Sequence, residues 1–290
     1  METFAHLDWL SVTFAADMDE RVLEAYVGHF TTKGTGSHGY TRRATSSIGA
    51  VLLADGEARQ GKSLSLSGQP LDDLRAVLGA DEPLLRMVRA HRGRASRVDL
   101  ALNIVGSRLT PTLLWSLVKQ GDVITKTRAS KGVETTESKI EGFYMGSRES
   151  DKFLRVYDKG LEQGSDPEAW LRLELVCKRL VARSYVERMA EMETIRPFIN
   201  RAIDEFASFP TEADYRLAVA DDRADVPRLG KKQSQFWRWI ESQVIPAMAS
   251  RQVEYPEEDV LRTVSGLYIK HLDKRGRNLR PQDPLLDSSE

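Results

Sequence analysis

SRVDLALNIV, residues 96–105, decides how this chain folds. Val98, Leu100, Leu102 and Ile104 alternate with Arg97, Asp99, Ala101 and Asn103. Successive side chains on a strand point to opposite faces, so this period of two predicts one apolar and one polar face. Two later segments repeat the pattern. In FLRVYDKGLEQG, residues 153–164, Leu154 and Val156 oppose Arg155, Tyr157 and Lys159. In WLRLELVCKR, residues 170–179, Leu171, Leu173 and Leu175 oppose Arg172 and Glu174. The tyrosine segment also fits helical spacing through Phe153, Leu154, Tyr157 and Leu161. Its β-favouring Arg-Val-Tyr and the turn after it favour a strand. If the three strands share a sheet, the apolar face buries against helices. The other face then gathers Asp99, Glu174, several cations and Tyr157. Alternation alone does not separate a chemical site from the solvent side of a half-exposed sheet.

Working outward, residues 7–14 (LDWLSVTF) read as a first strand and 17–30 as an amphipathic helix. Residues 31–47, rich in Gly, Ser and Thr, read as a loop. Residues 48–54 and 62–67 read as strands joined by an Asp-Gly turn at Asp55 and Gly56. Residues 70–78 and 83–91 read as short helices with Pro near the first turn, and 110–120 as a helix capped by Thr110. Residues 122–128 and 139–145 read as strands separated by a polar loop. After about residue 184 helical spacing takes over, as in Phe198, Ile199, Ala202, Ile203 and Phe206. Residues 221–232 read as a polar linker and 236–249 as a helix. The expected fold is α+β: an antiparallel β-sheet with helices packed mainly on one face, followed by a helical C-terminal region. The expected division is a sheet-bearing domain over 1–183, a helical region over 184–279 and a disordered tail over 280–290.

The chain has 290 residues, 41% hydrophobic and 29% charged, with a formal net charge of -1. No global basic field attracts nucleic acid, so a DNA-binding surface must concentrate its cations locally. Candidates are the run Arg86, Arg89, Arg92, Arg94 and Arg97, and the group Lys231, Lys232 and Arg238 with Phe236, Trp237 and Trp239. The single cysteine, Cys177, excludes an internal disulfide framework and any multi-cysteine zinc site. The histidines, at 6, 29, 38, 91 and 271, form no adjacent-His metal motif. A metal site must rest on carboxylates, which suits Mg²⁺ or Mn²⁺. GHFTTKGTGSHG, residues 28–39, does not match a phosphate-binding loop, so ATP is not expected. The sequence shows no membrane span and no signal-peptide pattern, which leads to the expectation of a cytoplasmic protein.

A tyrosine among cations and carboxylates suits phosphodiester transfer. The phenol, with an ordinary pKa near ~10, needs activation to act as a nucleophile. A divalent ion on Asp99 and Glu174 would neutralise charge growing on the phosphate oxygens. Arg155, Arg172 or Lys159 would clamp the phosphate.

FYMGSRESDKFLRVYDKGLEQG, residues 143–164, followed by WLRLELVCKR, resembles the trans-acting initiators of rolling-circle replication (the Rep_trans family). Relatives of that family include filamentous-phage replication initiators and some relaxases. SRVDLALN resembles the family's Arg-x-Asp strand and DWLSVTF the opening strand of the phage members. The resemblance spans about residues 7–183, with the motifs in the family's order. It implies a nicking and joining enzyme that leaves a 5′-phosphotyrosine and a 3′ hydroxyl. It implies Tyr157 as nucleophile, with Arg172 and Lys159 assisting, and Tyr144 as the competing tyrosine. It implies Asp99 and Glu174 as ligands of Mg²⁺ or Mn²⁺, and Arg97, Arg148 and Arg155 as DNA contacts. Asn103 stands where plasmid members often carry a second Asp, and Asp8 and Glu141 are further acids able to complete a metal shell. The implied partners are a double-stranded origin and its single-stranded nick site, a host helicase and polymerase, and a second copy of the chain. A relaxase starting conjugative transfer and a non-catalytic origin-binding regulator are the alternatives on the same fold.

Overall fold

The three alternating segments lie side by side at the centre of one antiparallel sheet. The computed structural model describes residues 1–56, 61–127, 130–134, 140–164 and 170–220. Its elements begin with β1 (Glu2–Phe14), α1 (Glu20–Val27), β2 (Phe30–Gly34), β3 (Arg42–Ser46), β4 (Val51–Ala54) and β5 (Lys62–Ser67). Next come α2 (Gln69–Leu78), α3 (Glu82–Ala90), β6 (Arg94–Val105), α4 (Pro111–Gln120), β7 (Ile124–Thr125) and β8 (Ser130–Glu134). Then follow β9 (Ile140–Met145), β10 (Lys152–Asp158), α5 (Lys159–Glu162), β11 (Trp170–Lys178), α6 (Arg179–Met189), α7 (Arg196–Phe206), β12 (Ala207–Ser208) and α8 (Ala213–Val219). The main sheet has ten strands in the order β2-β3-β4-β5-β1-β6-β11-β10-β9-β8. The expected α+β class holds.

Local chemistry explains most boundaries. Thr110 accepts a hydrogen bond from Leu113 N–H at 3.1 Å, Pro111 opens α4, and Gly121 closes it at φ +84°. α2 and α3 each carry Pro in the first turn. The apolar faces of the central strands are buried: Val98, Leu100, Leu102 and Ile104 of β6, Leu154 and Val156 of β10, and Leu171, Leu173 and Leu175 of β11. Each such side chain contributes about 1.5–3 kcal/mol on leaving water. The covering helices are α2 over β1 and β5, α6 over β6 and β11, α7 over β1, β6 and β11, and α4 over β9 and β10. Cys177 lies in this core, and burial pushes its thiol up.

Five readings of the sequence need correction. β1 starts five residues earlier than its aromatic stretch indicates, at Glu2 rather than residue 7. The expected loop over 31–47 contains β2 and β3, whose threonines suit an exposed edge hairpin. The expected strand at 122–128 is only β7, which pairs with β12 outside the main sheet, and the polar stretch before β9 holds edge strand β8. The strand bearing Tyr157 ends at Asp158, whose carboxylate caps α5 by accepting from Leu161 N–H, so Lys159 is helical.

The chain divides into two compact units, Met1–Arg228 and Leu229–Glu290. Residue 183, the expected boundary, falls inside α6, and α6 and α7 belong to the sheet's helical layer. The linker, the helix at 236–249, the tail and the basic-aromatic group around Trp237 lie outside the described residues. No helix among the described residues is long and apolar enough to cross a membrane.

One contact ties the helical layer to the centre of the sheet. β5 pairs with β1 only from Trp9 onward, so Leu7 lacks a strand partner on that side. Asp81 Oδ2 accepts from Leu7 N–H at 2.9 Å, and Arg75 Nη2 donates to Leu7 C=O at 2.9 Å. Arg75 and Asp81 also pair with each other at 3.0 Å. Replacing Asp81 with Ala leaves the buried Leu7 N–H and the Arg75 Nε without their acceptor, while Arg75 keeps Asp72 and Leu7 C=O. The expected loss is about 3 kcal/mol in urea unfolding, whereas Leu161→Ala, at an exposed position, is expected to change stability by about 0.5 kcal/mol or less.

Candidate active site

The register of the central strands builds the site. Tyr157 lies opposite Arg172, and Arg172 opposite Asn103; Arg155 lies opposite Glu174, and Glu174 opposite Ala101. β1 adds Phe4 beside Asn103 and His6 beside Ala101. Between Leu7 and Trp9 the β1–β6 register shifts, and this bulge sets Asp8 against Arg172.

Three acids meet three guanidiniums here. Arg97 grips Asp99 at 2.9 and 2.5 Å, and its guanidinium stacks 4.1 Å from the Trp9 ring centroid. Arg155 Nη1 donates to both Glu174 oxygens at 3.0 and 3.2 Å. Arg172 Nη1 donates to Asp8 Oδ1 at 2.6 Å. The polar face is therefore not a solvated one: Asp99 and Glu174 are each 1% exposed, Asn103 is 0% and Arg172 is 5%. Buried charges are tolerated when paired and hydrogen-bonded, as these are. Asn103 is fully committed. Its Oδ1 accepts from Trp170 Nε1 at 2.9 Å and from Arg172 Nε at 2.8 Å, while its Nδ2 lies 3.5 Å from Phe4 C=O and 3.4 Å from His6 Nδ1. His6, neutral because burial and then Arg75, Arg172 and Lys159 push its pKa down to about 3, accepts at Nδ1.

Tyr157 is half-buried at the edge of this cluster. Its hydroxyl donates to Glu174 Oε2 at 3.1 Å, and Arg155 and Lys159 lie 5.0 and 5.9 Å from its ring centroid. Nearby cations alone would favour the phenolate. Instead burial, followed by the charge of Glu174, pushes the phenol above its ordinary value, and the pull of Arg172 does not offset them. Glu174 is pushed up to about 7 by burial, against Arg155, with Asp8 and Asp99 adding to the rise. Asp99 is raised by burial too, against Arg97. Adjacent buried carboxylates disfavour one another's charge.

The donor chemistry fits a hard divalent cation, because Asp8, Asp99 and Glu174 offer only carboxylate oxygens and repel one another. Among the described residues, however, no three acids or imidazoles converge as a ready-made metal site. The arginines hold the acids, and Asn103 Oδ1, at the position where plasmid members often carry a second Asp, is taken up by Trp170 and Arg172.

Of the expected site residues, Tyr157, Arg172, Arg155, Arg97, Asp99 and Glu174 come together, and Lys159 reaches the Tyr157 ring from α5. Arg148 stands apart, exposed, 5.3 Å from the Tyr144 ring centroid. In the arginine run, Arg86 donates to Met192 C=O and Arg89 pairs with Glu191, so both serve packing of α3 against the segment after α6. Sequence reasoning missed His6. Its signal was the alternation of Phe4, His6 and Asp8, hidden by starting the first strand at residue 7. Substituting Asn103 with Ala strands the Trp170 N–H and one Arg172 N–H. Thermal and urea unfolding are expected to show a loss of about 1–3 kcal/mol, with Trp170 fluorescence shifting before global unfolding.

The replication initiation factor family (Rep_trans) matches residues 93–263, from the start of β6 past α8. A rolling-circle replication initiator protein from Geobacillus stearothermophilus has a similar structure. It is 18% identical with TM-score 0.63, over 83% of this chain and 97% of that one. Methanococcus jannaschii TBP matches 62% of this chain and 90% of its own at 7% identity, but its TM-score of 0.29 carries no argument. No curated protein matches. The family match spans more than half of the chain and includes Arg97, Asp99, Tyr157, Arg172 and Glu174, and the chain belongs to the replication initiation factor family.

Proposed function

We propose that this protein starts rolling-circle replication by cutting one DNA strand with Tyr157 and later rejoining it. The observation that carries the reading is the 3.1 Å hydrogen bond from the Tyr157 hydroxyl to Glu174, with Arg155 and Arg172 flanking the pair. A neutral phenol becomes a nucleophile when a positioned base takes its proton as it attacks. Glu174 is that base.

The Tyr157 oxygen attacks the phosphorus of the nick-site phosphodiester. The P–O bond to the 3′ oxygen breaks, the phenol proton passes to Glu174, and the departing 3′ oxygen takes a proton from water to become the 3′ hydroxyl. The 5′ phosphate stays on Tyr157. A 3′ hydroxyl reversing the step restores the strand without ATP, because the phosphotyrosine ester conserves the diester. Arg155 and Lys159, the cations nearest the ring, orient the phosphate. Arg172, held by Asp8 and Asn103, fixes the strand opposite Tyr157 and keeps positive charge beneath it. Asp99, with Asp8 beside it, would hold Mg²⁺ or Mn²⁺, which would neutralise charge building on the phosphate oxygens when bound; Glu174, the second ligand expected from sequence, is used here as the base. Arg97, Arg155 and the exposed Arg148 supply DNA contacts. Initiation further implies a double-stranded origin, a host helicase and polymerase, and a dimer of this chain as working partners in a bacterial cytoplasm.

The test is incubation with labelled single-stranded origin DNA and Mn²⁺, resolved on a denaturing gel. Wild type is expected to give a covalent adduct, Tyr157→Phe none, and Tyr144→Phe at least part of it. Asp99→Ala and Glu174→Ala are expected to cut roughly 10²-fold more slowly or worse while keeping duplex binding. An adduct that survives Tyr157→Phe and vanishes in Tyr144→Phe would assign the chemistry to the wrong residue here.

A further inference from the structure

A cleft of about 270 Å³ opens beside Tyr157, between β9, β10 and α5. Its lining includes Gly142, Tyr144, Arg155, Tyr157, Leu161 and Glu162. Gly142 lies directly opposite Tyr157 in the β9–β10 register, and Tyr144 opposite Arg155, so the four positions share the face that carries the candidate nucleophile.

No side chain projects from Gly142 into the cleft, and β9 runs close against β10 there. A Cβ there would stand 2.8 Å from Val156 C=O and 3.0 Å from the Tyr157 Cβ. Any larger residue would have to move the β10 backbone at Val156 and Tyr157, and with it the Tyr157 side chain. Tyr144 and Tyr157 line the cleft on either side of this side-chain-free position, and an opening bordered by aromatic rings suits a flat group. Tyr144 is held from behind, with Phe153 at 6.4 Å and the Arg148 guanidinium at 5.3 Å between centres. Leu161, 55% exposed, gives the mouth an apolar lip. Asp158 and Glu162 line the cleft as acids, and Lys159 is drawn to Glu162. That acidic rim disfavours a phosphate inside, whereas a base presents no such charge. The volume lies just under the ~300–1,000 Å³ of small-molecule sites, which suits one planar group rather than a whole nucleotide chain.

We infer that this cleft receives one unstacked nucleobase of the strand to be cut, stacked against Tyr144, and so sets which phosphate faces Tyr157. Single strands are held by aromatic faces that each take one base, and chemistry on a strand gains from fixing the base next to the reacting phosphate. The inference rests on the nicking proposal for its use of Tyr157, but the cleft's binding can be measured without cleavage.

The experiment uses the full chain and fluorescence anisotropy with two probes of equal length, a dC single strand and an abasic strand carrying the same phosphates. Wild type is expected to bind the dC strand at least fivefold more tightly than the abasic one. Tyr144→Leu keeps bulk against Phe153 but removes the stacking face; it is expected to lose fivefold or more on dC and less than twofold on the abasic strand. Gly142→Val moves the Tyr157 side of the cleft and is expected to behave alike, provided it melts as wild type does. Equal binding of the two probes by wild type, or equal losses on both in Tyr144→Leu, would overturn the inference. Covalent capture of origin DNA is scored in parallel. An adduct without base-dependent binding removes the cleft's role and leaves the nicking proposal intact. Base-dependent binding without an adduct does the reverse.

Discussion

Three carboxylates and three guanidiniums share one face of the central strands, and the site depends on their pairing. Asp99 and Glu174 are buried as deeply as the leucines on the opposite face. An unpaired charge at that depth would cost several kcal/mol, so each acid is held by an arginine and each arginine by an acid. The pairing fixes rotamers as well as charge. Arg172 cannot turn without releasing Asp8 and Asn103, and Asn103 in turn positions Trp170. Tyr157 is thereby presented at the rim of a rigid, charged floor, where its hydroxyl has Glu174 as hydrogen-bond acceptor.

The same network bears on how a divalent ion would enter. The acids are close enough to raise one another's proton affinity, which is the electrostatic setting that favours an added cation. In the described arrangement Arg97 and Arg155 meet that demand. Were an ion to bind, Asp99 and Asp8 would hold it and supply its charge neutralisation, and Arg97 and Arg155 would be left to pair with phosphate. Arginine suits such a role because its planar fork pairs equally well with carboxylate and phosphate.

Much of this was legible in the sequence because strand periodicity is strict. Once residues 96–105 are read with a period of two, the faces of β6, β10 and β11 follow, and so does the grouping of Arg97, Asp99, Tyr157, Arg172 and Glu174. The depth of that grouping was not legible. Alternating polar residues read as a solvated face, and only the packing of Phe4, Trp9 and Trp170 around them makes it an interior. The edge strands β2 and β8, and β3 next to β2, were hidden by their polar, threonine- and lysine-bearing sequences, which suit the margins of the sheet. The bulge at Asp8 leaves no local signature; it arises where Leu7 turns to Asp81 and Arg75 for its hydrogen bonds. Gly142 looked like an ordinary strand residue until its partner across the ladder proved to be Tyr157.

The central claim is that the Tyr157 oxygen, and no other, takes up the DNA 5′ phosphate. Nuclease trimming of the DNA-linked protein, followed by fragmentation mass spectrometry, reads that bond directly. The account predicts a residual nucleotide on Tyr157, within the segment from Val156 to Lys159. A nucleotide found on Tyr144 instead, or on a residue outside the sheet, would contradict it.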